Sequence, residues 1–241
     1  MRKPLIAANW KMNPPPAGFD AKDSPFRSTK TVDVIVFPTF VDLQACLDAK
    51  LDTGAQCAHA AEKGAHTGDV SVRMLKKLGC SHVLCGHSER RQEHGETDVQ
   101  IAMLAATAIR QGVQPVVCVG ESREERESGQ AKDVVKRQVE TIVASTVSGS
   151  LIFAYEPVWA IGTGTNATPE ETQEMHAFIR SLLPDAIRDK TPILYGGSIT
   201  PACAQALFAL QDVDGGLVGG ASLKPEEFKK IVEIAGKSRK A

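Results

Sequence analysis

The chain has 241 residues, 42% of them hydrophobic and 24% charged, the composition of an ordinary water-soluble globular protein. Its formal charge of −1 leaves no surplus of Lys and Arg to track phosphates, which argues against nucleic acid or an anionic membrane surface as partner. No run of about 18 apolar residues occurs, so no membrane span is expected.

The first strand-like run, Leu5–Trp10, follows Met1-Arg2-Lys3-Pro4 directly. Asn9 and Lys11 interrupt it too soon for a signal-peptide core, and a cytoplasmic location is expected. Further strands are predicted over Val32–Pro38, Thr53–Ala58, His82–Cys85, Pro115–Val119, Leu151–Tyr155, Pro192–Tyr195 and Val213–Val218. Several are continuously apolar rather than alternating, as in a parallel sheet covered on both faces.

Helical spacing fills the intervals. Ile101, Leu104, Ala105, Ala108 and Ile109 form one stripe, with Thr97 and Gln100 as a capping box before it and Gly112 after it. Thr168-Pro169-Glu170-Glu171 is a fuller start signal, and Thr200-Pro201 and Pro225-Glu226-Glu227 open two more helices. Such βα alternation within about 240 residues predicts an α/β fold: an eight-stranded parallel (β/α)8 barrel, with residues 1–241 as one domain.

The first helix is the exception. Pro14-Pro15-Pro16 presets extended backbone, and only Ala17 to Ser24 precede Pro25, a span that also contains Gly18. A shortened or irregular segment is predicted there, with Phe19 and Phe26 anchored separately between the first two strands.

The six cysteines show no C-x-x-C spacing and the six histidines no H-E-x-x-H, so no metal site is predicted. Cys80 and Cys85, five apart on a strand, should face opposite ways. Small buried thiols in a reducing compartment are the expectation. No dinucleotide fingerprint appears, and no cofactor is expected.

In a parallel barrel the C-terminal ends of the strands converge on one mouth. The first strand delivers Asn9 and Lys11 on one face, and the fourth exits into Gly86-His87-Ser88-Glu89-Arg90-Arg91. With Ser88 as N-cap, His87 would sit at a helix N-terminus and stay neutral, able to donate a hydrogen bond. The sixth strand delivers Glu156, followed by Pro157 and the apolar Val158, Trp159, Ala160 and Ile161, then Gly162 and Gly164. An apolar loop over a carboxylate suggests a lid that desolvates a base. Tyr195-Gly196-Gly197-Ser198 and Gly219-Gly220-Ala221-Ser222 leave the last two strands, the common phosphate site of this architecture. The set describes proton transfer next to a carbonyl on a small phosphorylated substrate. Another phosphate-binding barrel enzyme, or a catalytically silent scaffold, stands as the rival reading.

These segments resemble the triosephosphate isomerase family. The matching pieces are Ala8-Asn9-Trp10-Lys11-Met12-Asn13, the stretch from Gly86 to Arg91, Ala154 to Gly164, Tyr195 to Ser198 and Leu217 to Leu223, in the family's order along nearly the whole chain. The resemblance implies interconversion of dihydroxyacetone phosphate and glyceraldehyde 3-phosphate through an enediolate. It makes Glu156 the base, His87 the neutral electrophile and Lys11 the offset for substrate charge, with Asn9 donating to a substrate oxygen. Gly162, Ser198, Gly219 and Gly220 would hold phosphate, and Glu89 would stand near Lys11. It also implies a homodimer, with the loop Gly64-Ala65-His66-Thr67-Gly68-Asp69 entering the partner. Thr165-Asn166 departs from the family's usual Lys-Thr at the lid hinge.

Overall fold

The computed structural model describes residues 2–146, 150–160 and 167–238. Eight parallel strands follow one another around the sheet: β1 Leu5–Asn9, β2 Asp33–Phe37, β3 Gly54–Ala55, β4 His82–Cys85, β5 Gln114–Val119, β6 Ile152–Tyr155, β7 Ile193–Tyr195 and β8 Gly215–Val218. β1 pairs with both β2 and β8, and the bridge Val36–Thr53 joins β2 to the start of the third unit. With helices between the strands, this is the nearly closed barrel that the βα alternation predicts.

Strand parity divides the core into two layers. Leu5, Ala7, Ile35, Phe37, Val116, Cys118 and Leu217 belong to a cluster made only of strand residues, the filling of the barrel. Their neighbours Ile6, Ala8, Val34, Val36 and Val117 join the outer layer, which includes Ile101, Leu104 and Ala108 of the helix Asp98–Arg110. Both faces of each strand are therefore buried, which is why the runs are apolar without alternation. Asn9 continues the inward parity of Leu5 and Ala7 and reaches the mouth 4% exposed. Cys80 corrects an expectation: it precedes β4 and shares the outer layer with Cys85.

β3 is shorter than predicted. A Cβ on Gly54 would lie 2.3 Å from Phe37 Cε1, so glycine makes room for that ring. Beyond Ala55, the Phe37 carbonyl accepts from the Gln56 side chain at 2.9 Å, beside the Trp10 amide at 3.1 Å.

The capping boxes at Thr97–Gln100 and Thr168–Glu171 both form and start the helices Asp98–Arg110 and Pro169–Ser181. Residues 14–31 form no helix but a succession of turns, closed by Phe19 N–H to Pro16 O and Ala21 N–H to Gly18 O, each 3.1 Å. Arg27 braces this irregular path, donating to the carbonyls of Ala21 and Asp20 within it at 2.8 and 2.9 Å and to that of Ala49 outside it at 3.0 Å. The two aromatic anchors converge instead of standing apart. Both meet Trp10 edge-on, at 6.0 Å for Phe19 and 5.2 Å for Phe26, so one indole gathers both rings. Phe26 also stacks on Phe228 of the last helix, Pro225–Lys237, at 4.8 Å.

At the opposite end from the mouth, the buried Arg180 donates to Asp212 and Asp214, each at 2.6 Å. Burial alone would raise the Asp214 pKa, but Arg2, the Ile193 amide and Arg180 hold it below the usual carboxylate range. Among the described residues no helix is long and apolar enough to cross a membrane.

Candidate active site

Glu156 follows the last residue of β6 and is 2% exposed. Its backbone amide donates to Val119 O at 2.8 Å, which fixes the start of the loop. Its Oε2 accepts from the Ser88 amide at 2.8 Å, while Oε1 lies 3.2 Å from His87 Nε2 without a hydrogen-bonding angle. One carboxylate oxygen is thus anchored and the other is unpartnered.

The helix after β4 runs Ser88–His94, and its N-cap is His87 itself, one residue earlier than predicted. The imidazole supplies the cap: its Nδ1 accepts from the Glu89 amide at 3.3 Å. A ring that accepts at Nδ1 is neutral and carries its proton on Nε2, the atom facing Glu156. The expected neutral imidazole thus follows from the cap geometry.

Lys11 occupies the left-handed region at φ +50°, a strained conformation for a residue with a Cβ. Three contacts fix it. Its amide donates to Asn9 Oδ1 at 3.0 Å, its carbonyl accepts from Gln56 Nε2 at 2.7 Å, and its Nζ lies 2.5 Å from Glu89 Oε1. Glu89 is therefore the second carboxylate expected beside this lysine.

Asn9, Lys11, His87, Ser198, Gly219 and Gly220 line one cavity of about 430 Å³. Glu156 borders it through His87 and Gly196, since a Cβ on Gly196 would lie 2.8 Å from Glu156 Cγ. The glycine of that pair therefore gives space to the carboxylate, a role the sequence reading did not assign. Gly219 caps a short 3-10 turn, Gly220–Leu223, so backbone N–H groups at its start face the cavity that Gly219 and Gly220 line. Gly162 and the remainder of the lid, residues 161–166, lie outside the described residues.

Three residues near the site went unpredicted. Gln56 holds the lysine backbone. Cys118 sits in the barrel filling, where burial and then the neighbouring Glu156 push its thiol pKa well up and keep it protonated. Glu121, wholly buried, accepts at Oε1 from Trp159 Nε1 at 2.8 Å and Tyr155 OH at 3.1 Å. Burial raises its pKa against those donors and Arg126. It ties the 3-10 turn Val158–Ala160, where the lid begins, to the barrel.

A buried carboxylate with one free oxygen, a neutral imidazole aimed at it and an ammonium across a cavity define an enzyme of the isomerase class. Such a site moves protons within one substrate and needs no nucleophile of its own. The sequence model of the family described as triosephosphate isomerase matches residues 4–235. Curated proteins named triosephosphate isomerase align over nearly their whole length. That of Alkalilimnicola ehrlichii is 44% identical, covering 98% of this chain and 99% of its own. Those of Coxiella burnetii, at 42%, and Cupriavidus taiwanensis, at 46%, cover 98% and 96% of this chain and 99% of their own. The chain belongs to the triosephosphate isomerase family.

Proposed function

We propose that this protein interconverts dihydroxyacetone phosphate and D-glyceraldehyde 3-phosphate by proton transfer through an enediolate, as a step of glycolysis and gluconeogenesis. Glu156 Oε1 takes the proton from the carbon beside the carbonyl. The electrons of that C–H bond form the carbon–carbon double bond as the carbonyl oxygen gains charge. His87 Nε2–H donates to that oxygen, and Lys11 and Asn9 offset its charge. Through His87 the hydroxyl hydrogen of the deprotonated carbon passes to the former carbonyl oxygen, and Glu156 returns its proton to the former carbonyl carbon as the neighbouring C–O bond becomes the new carbonyl. The phosphate rests on Ser198, Gly219 and Gly220, and Gly162 joins them by resemblance to the family. The observation that carries this reading is the 3.2 Å approach of His87 Nε2 to an unpartnered, buried Glu156 Oε1.

The working unit is a homodimer, residues 1–241 form one barrel domain, and the protein acts in the cytoplasm. In support of the dimer, residues 62–69 are exposed around a loop pinned at its neck by His59 N–H to Val70 O, 2.8 Å. Beside them a hollow of about 860 Å³ opens between the loop and the helices at Arg90 and Ile101. Thr67 would reach Lys11 and Asn9 of the other copy.

An assay coupling triose phosphate interconversion to a dehydrogenase tests the activity, with the intact chain and Glu156→Gln side by side. Turnover by the intact chain and its collapse in the variant are expected. Absence of turnover in the intact chain overturns the reading.

A further inference from the structure

The connection from β3 to the helix Val72–Leu78 carries a side-chain cluster that the proposed reaction does not use. Its neck is closed by the His59–Val70 hydrogen bond and a parallel bridge between His59 and Ser71. Its tip folds back through Asp69 N–H to His66 O at 3.1 Å and His66 N–H to Gly64 O at 3.0 Å. These backbone bonds lay the His66 ring over the His59 ring, with centroids 4.1 Å apart. Asp69 Oδ2 stands 3.8 Å from His59 Nε2. One ligand atom from each of the three lies within 4.8 Å of the others.

We propose that His59, His66 and Asp69 bind one divalent transition-metal ion of the zinc type. Two imidazoles and a carboxylate are a donor set of that chemistry, and water completes the coordination. Bonds of about 2.0–2.1 Å place tetrahedral ligand atoms about 3.3 Å apart, so the three atoms must draw together. His66 and Asp69 are exposed and His59 is half-buried, so the first two swing inward toward the third. His59 Nδ1 accepts from the Ala61 amide at 3.0 Å, which puts the ring proton on Nε2 in the metal-free chain. On coordination that proton moves to Nδ1, and the metal–nitrogen bond replaces the Ala61 hydrogen bond. The bound ion ties the tip of the loop to its neck and stiffens the segment that the dimer reading sends into a second copy. The site itself lies within one chain and does not rest on that reading.

Chelator-stripped protein titrated calorimetrically with Zn²⁺, and with Co²⁺ for its visible spectrum, tests the proposal. Saturable binding of one ion per chain is expected, with the intense visible d–d bands of tetrahedral Co²⁺ and no thiolate charge-transfer band. His66→Ala and Asp69→Asn should each weaken binding by at least about tenfold, the scale on which even supporting groups change metal affinity. Cys57→Ser, which alters the nearest thiol along the chain, should bind as the unaltered protein does. Thermal melting confirms that the variants fold. Three results would overturn the site: no saturable binding, binding indifferent to His66→Ala, or a thiolate band that disappears in Cys57→Ser.

Discussion

His87 Nε2 and Glu156 Oε1 stand 3.2 Å apart, close enough to hand a proton to opposite ends of one small substrate yet not bonded to each other. The Ser88 amide fixes the other carboxylate oxygen at 2.8 Å, so the free oxygen is held in place without being consumed. Glu156→Gln keeps that anchor and removes the basicity. The expected result is a fall in kcat of about 10²–10⁴-fold with little change in KM, the scale of a positioned general base. Steady-state kinetics of the coupled assay in both directions provide the measurement.

Gln56→Ala tests the support of the strained lysine. The carboxamide donates to the carbonyls of Lys11 at 2.7 Å and Phe37 at 2.9 Å, two elements it alone connects by side chain. Its loss should lower stability by about 1–3 kcal/mol through the Lys11 carbonyl it leaves unsatisfied, since the Phe37 carbonyl keeps the Trp10 amide at 3.1 Å. Relaxation of Lys11 from its left-handed backbone should lower kcat/KM by about tenfold or more. Urea unfolding and kinetics on the same preparation separate the two effects.

Gly196→Ala tests space rather than backbone freedom. The added methyl would lie 2.8 Å from Glu156 Cγ and 3.1 Å from Tyr155 O, so the base must shift. A displacement near 1 Å costs on the order of 100-fold in rate. The circular dichroism spectrum should be unchanged while kcat falls by about that factor.

His176, on the helix Pro169–Ser181, sets a pH dependence of stability. Burial pushes its pKa down to about 4, outweighing the Asp212 carbonyl, 3.2 Å from Nδ1, and the nearby Asp214. An unfolded histidine titrates near 6.5. Above that pH both states are neutral and the group contributes nothing to the pH dependence. As pH falls from about 6.5 toward 4, the unfolded chain binds a proton that the folded chain refuses, and stability drops by about 3 kcal/mol. Below about 4 the loss levels off. Urea unfolding at pH 7 and pH 4.5 should show this drop in the native protein and a flatter response in His176→Gln.

The barrel was legible because its signals are local. Continuous apolar runs such as Val34–Phe37 and capping boxes such as Thr168–Glu171 are completed within a few residues. Proline geometry likewise foretold the missing helix at residues 14–31. Asn9, His87 and Glu156 could be read because strand exits in a parallel barrel share one mouth. Gln56 could not, since its targets are carbonyls 19 and 45 residues away, and any carbonyl looks alike in sequence. Glu121 follows Gly120 just beyond β5, with no local pattern to mark it, and only the closed barrel buries it beneath Trp159. His59, His66 and Asp69 match no spacing rule because turns at Gly64 and Gly68, both at positive φ, bring them together.

Phe26 stacks on Phe228, so the cover of the first strand is completed by a ring from the far side of the sequence, after all eight strands. Trp10, Phe19 and Phe26 are made well before the helix that carries Phe228. A helix in that position would bring its own hydrogen bonds and could shield β1 at once. Here the aromatic face of Phe26 is completed only once the helix Pro225–Lys237 has been made. Trimming the chain before Phe228 would therefore strip its beginning as well as its end.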